Sequence, residues 1–245
     1  MSKKDWFASW FDTKYYHTLY RSRDDEEAKN FITSLVSKLN LPEKSYVLDL
    51  ACGKGRHSRT LEKLGMRVLG ADLSKESIKS AKKKENKNLK FLVHDMREVI
   101  DGESFDCVFN LFTSFGYFEN NHENEKVLKG ISQMLSPNGL FVFDYLNLER
   151  ALDNLVTEET KEIDGIEFNI QRAFDGNFIR KRIEVKDKGV SFQFEEKVRG
   201  FQFNQLKEMM LKDGLKPITI FGNFKLEAYD EKNSERMIII CKKAV

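Results

Sequence analysis

Five short β-type runs, at 46–50, 67–71, 89–94, 106–112 and 140–145, alternate with stretches of helical apolar spacing, and this βαβαβαβαβ order constrains the fold more than any other feature. Strands joined through crossover segments pair in parallel, and right-handed crossovers put helices on both faces of one sheet. The intervening segments agree with that reading. Ser74 stands where it can cap a helix over 75–84, and Val127, Leu128, Ile131, Met134 and Leu135 make an apolar stripe before the turn Ser136-Pro137-Asn138-Gly139. Upstream, Ala28, Phe31, Ile32, Leu35, Val36 and Leu39 form another stripe that Pro42 closes. The expected fold is α/β, a doubly wound and mostly parallel sheet.

After Asn147 the texture changes. Alternating, aromatic-rich runs at 163–174, 178–186 and 190–201, separated by Asp175-Gly176-Asn177 and Asp187-Lys188-Gly189, predict an inserted antiparallel meander within 150–201. A helix at 204–212 and strands at 215–221 and 236–241 then bring the main sheet to seven strands. At 245 residues, with 40% hydrophobic and 33% charged residues, the chain suits one domain over 1–245 rather than two.

Forty-one basic residues are nearly matched by 39 acidic ones, so the net charge of +2 recommends neither nucleic acid nor an anionic membrane as a partner. The run Lys79, Lys82, Lys83, Lys84, Lys87 is broken by Glu85 and reads as a solvated helix face. Three scattered cysteines, Cys52, Cys107 and Cys241, cannot close a disulfide framework, which fits a cytoplasmic location. No apolar run reaches the ~18 residues of a membrane span, and the aromatic, charge-mixed amino terminus does not read as a signal peptide.

The segment Val47-Leu48-Asp49-Leu50-Ala51-Cys52-Gly53-Lys54-Gly55-Arg56-His57-Ser58 runs from an apolar strand through a small-residue turn into a helix. Small residues let backbone amides approach a ligand, and a helix amino terminus favours an anionic group. The glycines alone suit either a nicotinamide dinucleotide or an adenosine cofactor, with Asp72 able to hold a ribose in both. Asp49 tips the balance, because a carboxylate directly before the turn repels a pyrophosphate yet can accept hydrogen bonds from an amino group or order the loop. Asp49, Asp72 and Asp95 each close a successive predicted strand, placing three carboxyls on the ligand-binding edge of the sheet.

The pattern acidic, x, small, x, Gly, x, Gly at Asp49 to Gly55 resembles that of the class I S-adenosylmethionine-dependent methyltransferases, especially bacterial small-molecule members. The resemblance implies S-adenosylmethionine as cofactor and S-adenosylhomocysteine as product. It implies that Ala51, Gly53 and Gly55, with Cys52 between them, line the methionine part. Ala51 stands where many members carry glycine. Asp72 is then expected to bind the ribose hydroxyls, Leu73 to lie beside the adenine, Asp95 to accept from the adenine amino group and Met96 to cover it. Asn110, Leu111 and Phe112 are expected to border the methyl group.

No catalytic residue is assigned, because in-line displacement at a sulfonium methyl needs positioning more than a base. A thiol nucleophile at Cys52 lacks a partner base, His57 reads as a packing residue, and the four histidines show no metal-ligand spacing, so no metal is expected. The chain lacks an Asn-Pro-Pro-Tyr run, which lowers nucleic-acid bases and glutamine amides as acceptors and leaves a small molecule. Trp6, Phe7, Trp10, Phe11, Tyr15, Tyr16 and Tyr20 mark residues 1–24 as a lid, and the resemblance implies that Tyr16, Tyr20 or Arg21 meets the methionine carboxylate, with packing alone as the alternative. Arg172, Arg180, Arg182 and Arg199 place either specificity residues or a dimer interface on the meander, the chain being monomeric or homodimeric. The rival readings are an NAD(P)-dependent oxidoreductase and a non-catalytic S-adenosylmethionine-binding protein.

Overall fold

The computed structural model describes residues 6–21 and 25–244, so residues 1–5 and 22–24 of the expected lid lie outside the described residues. Two short helices, α1 (Trp6–Trp10) and α2 (Lys14–Leu19), precede the amphipathic α3 (Asp25–Leu39). The core then alternates as β1 (Tyr46–Leu50), α4 (Arg56–Lys63), β2 (Arg67–Asp72), α5 (Lys75–Lys82) and β3 (Leu89–Val93). It continues with β4 (Phe105–Asn110), α6 (Asn121–Met134), β5 (Leu135–Leu146) and α7 (Leu148–Asp153). Four strands follow, β6 (Glu158–Ile163), β7 (Ile166–Phe174), β8 (Phe178–Asp187) and β9 (Val190–Arg199). The chain closes with α8 (Phe203–Lys212), β10 (Leu215–Phe221) and β11 (Arg236–Lys243).

The main sheet has seven strands in the order β10-β11-β5-β4-β1-β2-β3, parallel from β5 to β3 and antiparallel where β11 meets β5 and β10. It is doubly wound. Alternate side chains of each strand feed opposite layers: Val47 and Val68 pack with Phe31, Leu35, Leu61 and Ile78, whereas Leu48 and Val108 pack with Leu128, Ile131, Leu206 and Met210. Burial on both faces explains why strands such as Val47-Leu48-Asp49-Leu50 read as almost continuous apolar runs. The connections reverse direction between β1 and β4, and the carboxyl ends of these neighbouring strands open the crevice where such sheets bind ligands.

The strict βα alternation fails once: residues 94–104 cross from β3 to β4 without a helix. That stretch lacks an apolar stripe, and its buried Ile100 is fixed instead by its N–H donating to Met134 Sδ at 3.3 Å. The expected turn at 136–139 lies within β5 as a bulge, where the pairing jumps from Phe105–Leu135 to Cys107–Leu140.

The meander forms its own antiparallel sheet in the order β6-β7-β8-β9. Residues 150–153 belong to α7, so this sheet starts later than the expected boundary. The additional strand β6 escapes sequence reading because Glu158, Glu159, Lys161 and Glu162 hide any apolar alternation, and such charge protects an edge strand from pairing elsewhere. One face packs Phe168, Ile170, Ile183 and Val185 against Trp10, Tyr15 and Leu19 of the first two helices. At its end, Arg199 N–H donates to Gly116 O at 2.8 Å and Tyr145 Oη donates to Arg199 O at 2.6 Å, docking β9 on the loop after β4.

Candidate active site

A cavity of about 490 Å³ lies over the carboxyl ends of the parallel strands, within the range that holds a cofactor-sized molecule. Its floor is the turn after β1. Ala51 N–H and Cys52 N–H both donate to Ala71 O, at 2.7 and 3.0 Å, pulling the turn over β2 and leaving Ala51 at φ 65°. This left-handed conformation is the reason glycine suits the position, and alanine accepts it at a cost of roughly 1–2 kcal/mol. Gly53, at φ +56°, has nothing within 4 Å of where a Cβ would stand, so its backbone is open to a ligand.

The three strand-end carboxyls surround this floor in different electrostatic states. Asp49 is 2% exposed and accepts from Ser58 Oγ at 2.5 Å; burial, reinforced by the Asp72 charge, pushes its carboxyl up to about 6. Asp72 accepts from Gly53 N–H at 2.7 Å and Ser74 N–H at 2.8 Å, yet burial still raises it above the ordinary carboxylate value. For Asp95 the upward push of partial burial is overcome by Arg97, whose guanidinium donates to both oxygens at 2.6–3.1 Å, and the carboxyl sits below its usual value. Leu73, Met96 and Leu111 complete the apolar wall.

Phe112 and Thr113 both take left-handed φ, 56° and 57°, which ends β4 at Asn110, two residues before the expected limit. Asp144, with no exposure, holds this kink: it accepts from Phe112 N–H at 2.7 Å and pairs with Arg236 at 2.7 Å, while Arg236 also donates to Thr113 Oγ1. The Phe112 ring stacks on His57 with centroids 4.6 Å apart, which agrees with a packing role for that histidine.

Two expected ligand contacts require correction. Asn110 is fully buried, does not line the cavity, and ties β4 to β1 by donating to Leu50 O at 3.1 Å. Gly55 also lies off the wall; a Cβ there would come within 2.5 Å of the Phe91 ring, so this glycine serves close packing beneath the turn. Cys52, by contrast, does line the wall; its side chain packs in the core cluster with Phe91, and burial pushes the thiol well up, in keeping with a spacer rather than a nucleophile.

The roof comes from far along the chain. Trp6, Phe7, Phe11, Tyr16, His17, Tyr20 and Arg21 come from the first two helices and the turns that follow them, with Tyr117 and Phe118 from the loop after β4 and Glu196 and Val198 from β9. Arg21 pairs with Asp164 at the first meander turn, and Ser74 Oγ donates to Asp12, so the roof is tied to both sheets. The meander arginines stay outside the cavity: Arg172 pairs with Glu159, Arg180 with Asp175 and Glu195, and Arg199 donates to Glu119 O. Glu196 and Val198 were not among the expected residues, since nothing in an alternating strand marks which positions will meet the roof.

The donor set matches a nucleoside joined to an amino acid. Asp72 offers acceptor capacity for vicinal hydroxyls, Leu73 and Met96 offer apolar faces for a flat base, and the open Gly53 backbone and buried Asp49 suit the polar end.

Residues 47–139 match the family model described as a methyltransferase domain. YqeM of Bacillus subtilis (strain 168) is 38% identical over 109 residues, covering 43% of this chain and 44% of YqeM. A dTDP-3-amino-3,4,6-trideoxy-alpha-D-glucopyranose N,N-dimethyltransferase of Streptomyces venezuelae is 29% identical over 51% of this chain and 52% of its own length. The alignments thus span about half of each of these relatives. In fold, the chain is similar to an S-adenosylmethionine-dependent methyltransferase from Clostridium acetobutylicum ATCC 824, with a TM-score of 0.79 at 19% identity, covering 94% of this chain and 96% of that one.

Proposed function

Because the chain carries the domain of a class I S-adenosylmethionine-dependent methyltransferase, we propose that it transfers the methyl group of S-adenosylmethionine to a small-molecule acceptor, chiefly by positioning the reactants. The observation that carries this reading is the convergence of Asp49, Asp72 and Asp95 on one cavity roofed by aromatic side chains. When bound, the cofactor supplies an electrophilic methyl group on a sulfonium whose leaving group is a neutral thioether.

The chain's own residues then have separable tasks. Asp72 accepts from the ribose hydroxyls while its two backbone donors fix its orientation. Asp95, oriented by Arg97, faces the adenine amino group, with Leu73 and Met96 against the ring. Asp49 draws the positive amino group of the methionine part towards the turn, Tyr16 and Arg21 stand on the roof side, and Leu111 and Phe112 border the methyl position. Trp6, Phe11 and Tyr117 exclude water, which strengthens every electrostatic contact inside. The acceptor enters beneath the meander and the first two helices, which act as a cover over the site. A cytoplasmic setting suits the three cysteines, all free and buried.

Calorimetry with S-adenosylhomocysteine tests the cofactor, and methyl-labelled S-adenosylmethionine with fractionated cell extract tests the acceptor. Asp72→Asn should weaken S-adenosylhomocysteine binding by about 1.5–3 kcal/mol, the worth of charge-assisted hydrogen bonds. A folded protein that binds none refutes the cofactor reading. Label confined to macromolecules refutes the small-molecule acceptor.

A further inference from the structure

The cavity is chemically two-sided. Among the described lining residues, three carboxyls, Asp49, Asp72 and Asp95, come from the ends of the parallel strands, and a fourth, Glu196, comes from β9 and lines the same cavity as Trp6, Phe11, Tyr16, Tyr117 and Val198. The rings form a continuous surface: Trp6 meets Phe11 at 5.6 Å and Tyr117 at 5.3 Å, and Phe11 meets Tyr16 at 4.9 Å, all edge to face. Glu196 joins this surface through Trp10 and Tyr20, whose rings lie 5.7 and 5.0 Å from that of Tyr16. Its Oε1 accepts from Trp10 Nε1 at 2.7 Å and from Tyr20 Oη at 2.8 Å, while Lys181 lies 3.4 Å from Oε2 and donates to Tyr20 Oη.

Two neutral donors do not call for a charge, since a glutamine oxygen accepts from both as well. A fixed carboxylate beside aromatic faces is instead the arrangement that binds an organic cation, the rings contributing through their quadrupoles. Lys181 takes only part of that charge: its ammonium lies 3.4 Å from Oε2, beyond the ~2.7–2.9 Å of a charge-assisted hydrogen bond, and donates instead to Tyr20 Oη. A cationic acceptor beside a sulfonium also faces like-charge repulsion, which a carboxylate on the acceptor side offsets.

We propose, resting on the methyl-transfer reading above, that the acceptor is an amine on an apolar body, bound as its ammonium ion by Glu196 and the rings of Trp6, Phe11 and Tyr117. For transfer, the ammonium gives one proton to water. The freed nitrogen lone pair forms the N–C bond as the C–S bond breaks, its electrons stay on sulfur, and the positive charge passes to the methylated amine.

The test compares 2-phenylethylamine with 2-phenylethanol, near-isosteres differing in charge, by ligand-observed NMR titration with and without saturating S-adenosylhomocysteine. The amine should bind at least tenfold tighter. Glu196→Gln should abolish that preference while S-adenosylhomocysteine affinity stays within threefold. Equal binding of the two probes, or no binding of the amine, overturns the proposal. So does an amine preference that survives in Glu196→Gln, which leaves the carboxylate as a structural tie for the roof. A Glu196→Gln variant that instead loses affinity for S-adenosylmethionine relative to S-adenosylhomocysteine assigns the carboxylate to the sulfonium. Absence of S-adenosylhomocysteine binding fails the cofactor reading alone, because the probe titration without it is scored separately.

Discussion

Replacing Asp49 by asparagine should stabilise the ligand-free protein at neutral pH. The carboxyl is 2% exposed, and burial, with the Asp72 charge adding to it, lifts it from 3.8 to about 6. A carboxyl raised in the folded state binds more protons folded than unfolded, so its contribution makes stability fall as pH rises from about 4 to about 6. A shift of roughly two units, at ~1.36 kcal/mol per unit, makes the ionised group cost about 3 kcal/mol above that window. Asparagine keeps a carbonyl for Ser58 Oγ without the charge. Urea unfolding at pH 4 and pH 7.5 should therefore show the variant gaining about 2–3 kcal/mol on the wild type between the two conditions. Saturating S-adenosylhomocysteine should narrow that gap at pH 7.5, because a positive amino group near Asp49 removes the reason for its cost. Parallel pH dependences in the two proteins would refute the reasoning, as would a variant less stable than the wild type at pH 7.5.

The two glycines of the turn should fail differently. Gly55→Ala puts a methyl group 2.5 Å from the Phe91 ring at φ +74° and should cost about 2–5 kcal/mol by thermal or urea unfolding, partly recovered by Phe91→Leu; a change under ~0.5 kcal/mol would contradict this packing account. Gly53→Ala meets no atom and should cost only about 1–2 kcal/mol from backbone strain, with its effect visible in S-adenosylhomocysteine calorimetry. Arg236→Met leaves the fully buried Asp144 with the Phe112 N–H but no cationic partner and should destabilise by about 3–5 kcal/mol, most of which Asp144→Asn in the same chain should restore. If the double variant is no better than the single, the penalty comes from the lost contact of the Arg236 guanidinium with the Phe224 ring, 5.5 Å from its centroid.

What the sequence determined is whatever short-range chemistry controls. The period of the apolar residues marked β1, β2, β3, β4 and β11, and the small residues between Asp49 and Gly55 marked the turn that opens α4. Asp49, Asp72 and Asp95 were legible because each follows an apolar run, and parallel strands in one sheet bring all their carboxyl ends to one edge. Neither the helix-free crossing at 94–104 nor β6 was legible: the first is held by Met134 from 34 residues away, and in the second Glu158, Glu159, Lys161 and Glu162 hide any apolar alternation although it pairs with the adjacent β7.

Side-chain direction was decided only by the tertiary structure. Asn110 and Leu111 are neighbours, yet one secures Leu50 beneath the site and the other faces the cavity, because the left-handed step at Phe112 is held by Asp144 and Arg236 from strands 32 and more residues away. Gly53 and Gly55 likewise share a motif but not a role, the difference being the position of Phe91 on another strand. Glu196 became a site residue only when α1 and α2 packed on the meander and carried Trp10 and Tyr20 to it, across 186 and 176 residues of sequence. Contacts at such separation leave no local period for a sequence to display, whereas the strand ends that floor the cavity do.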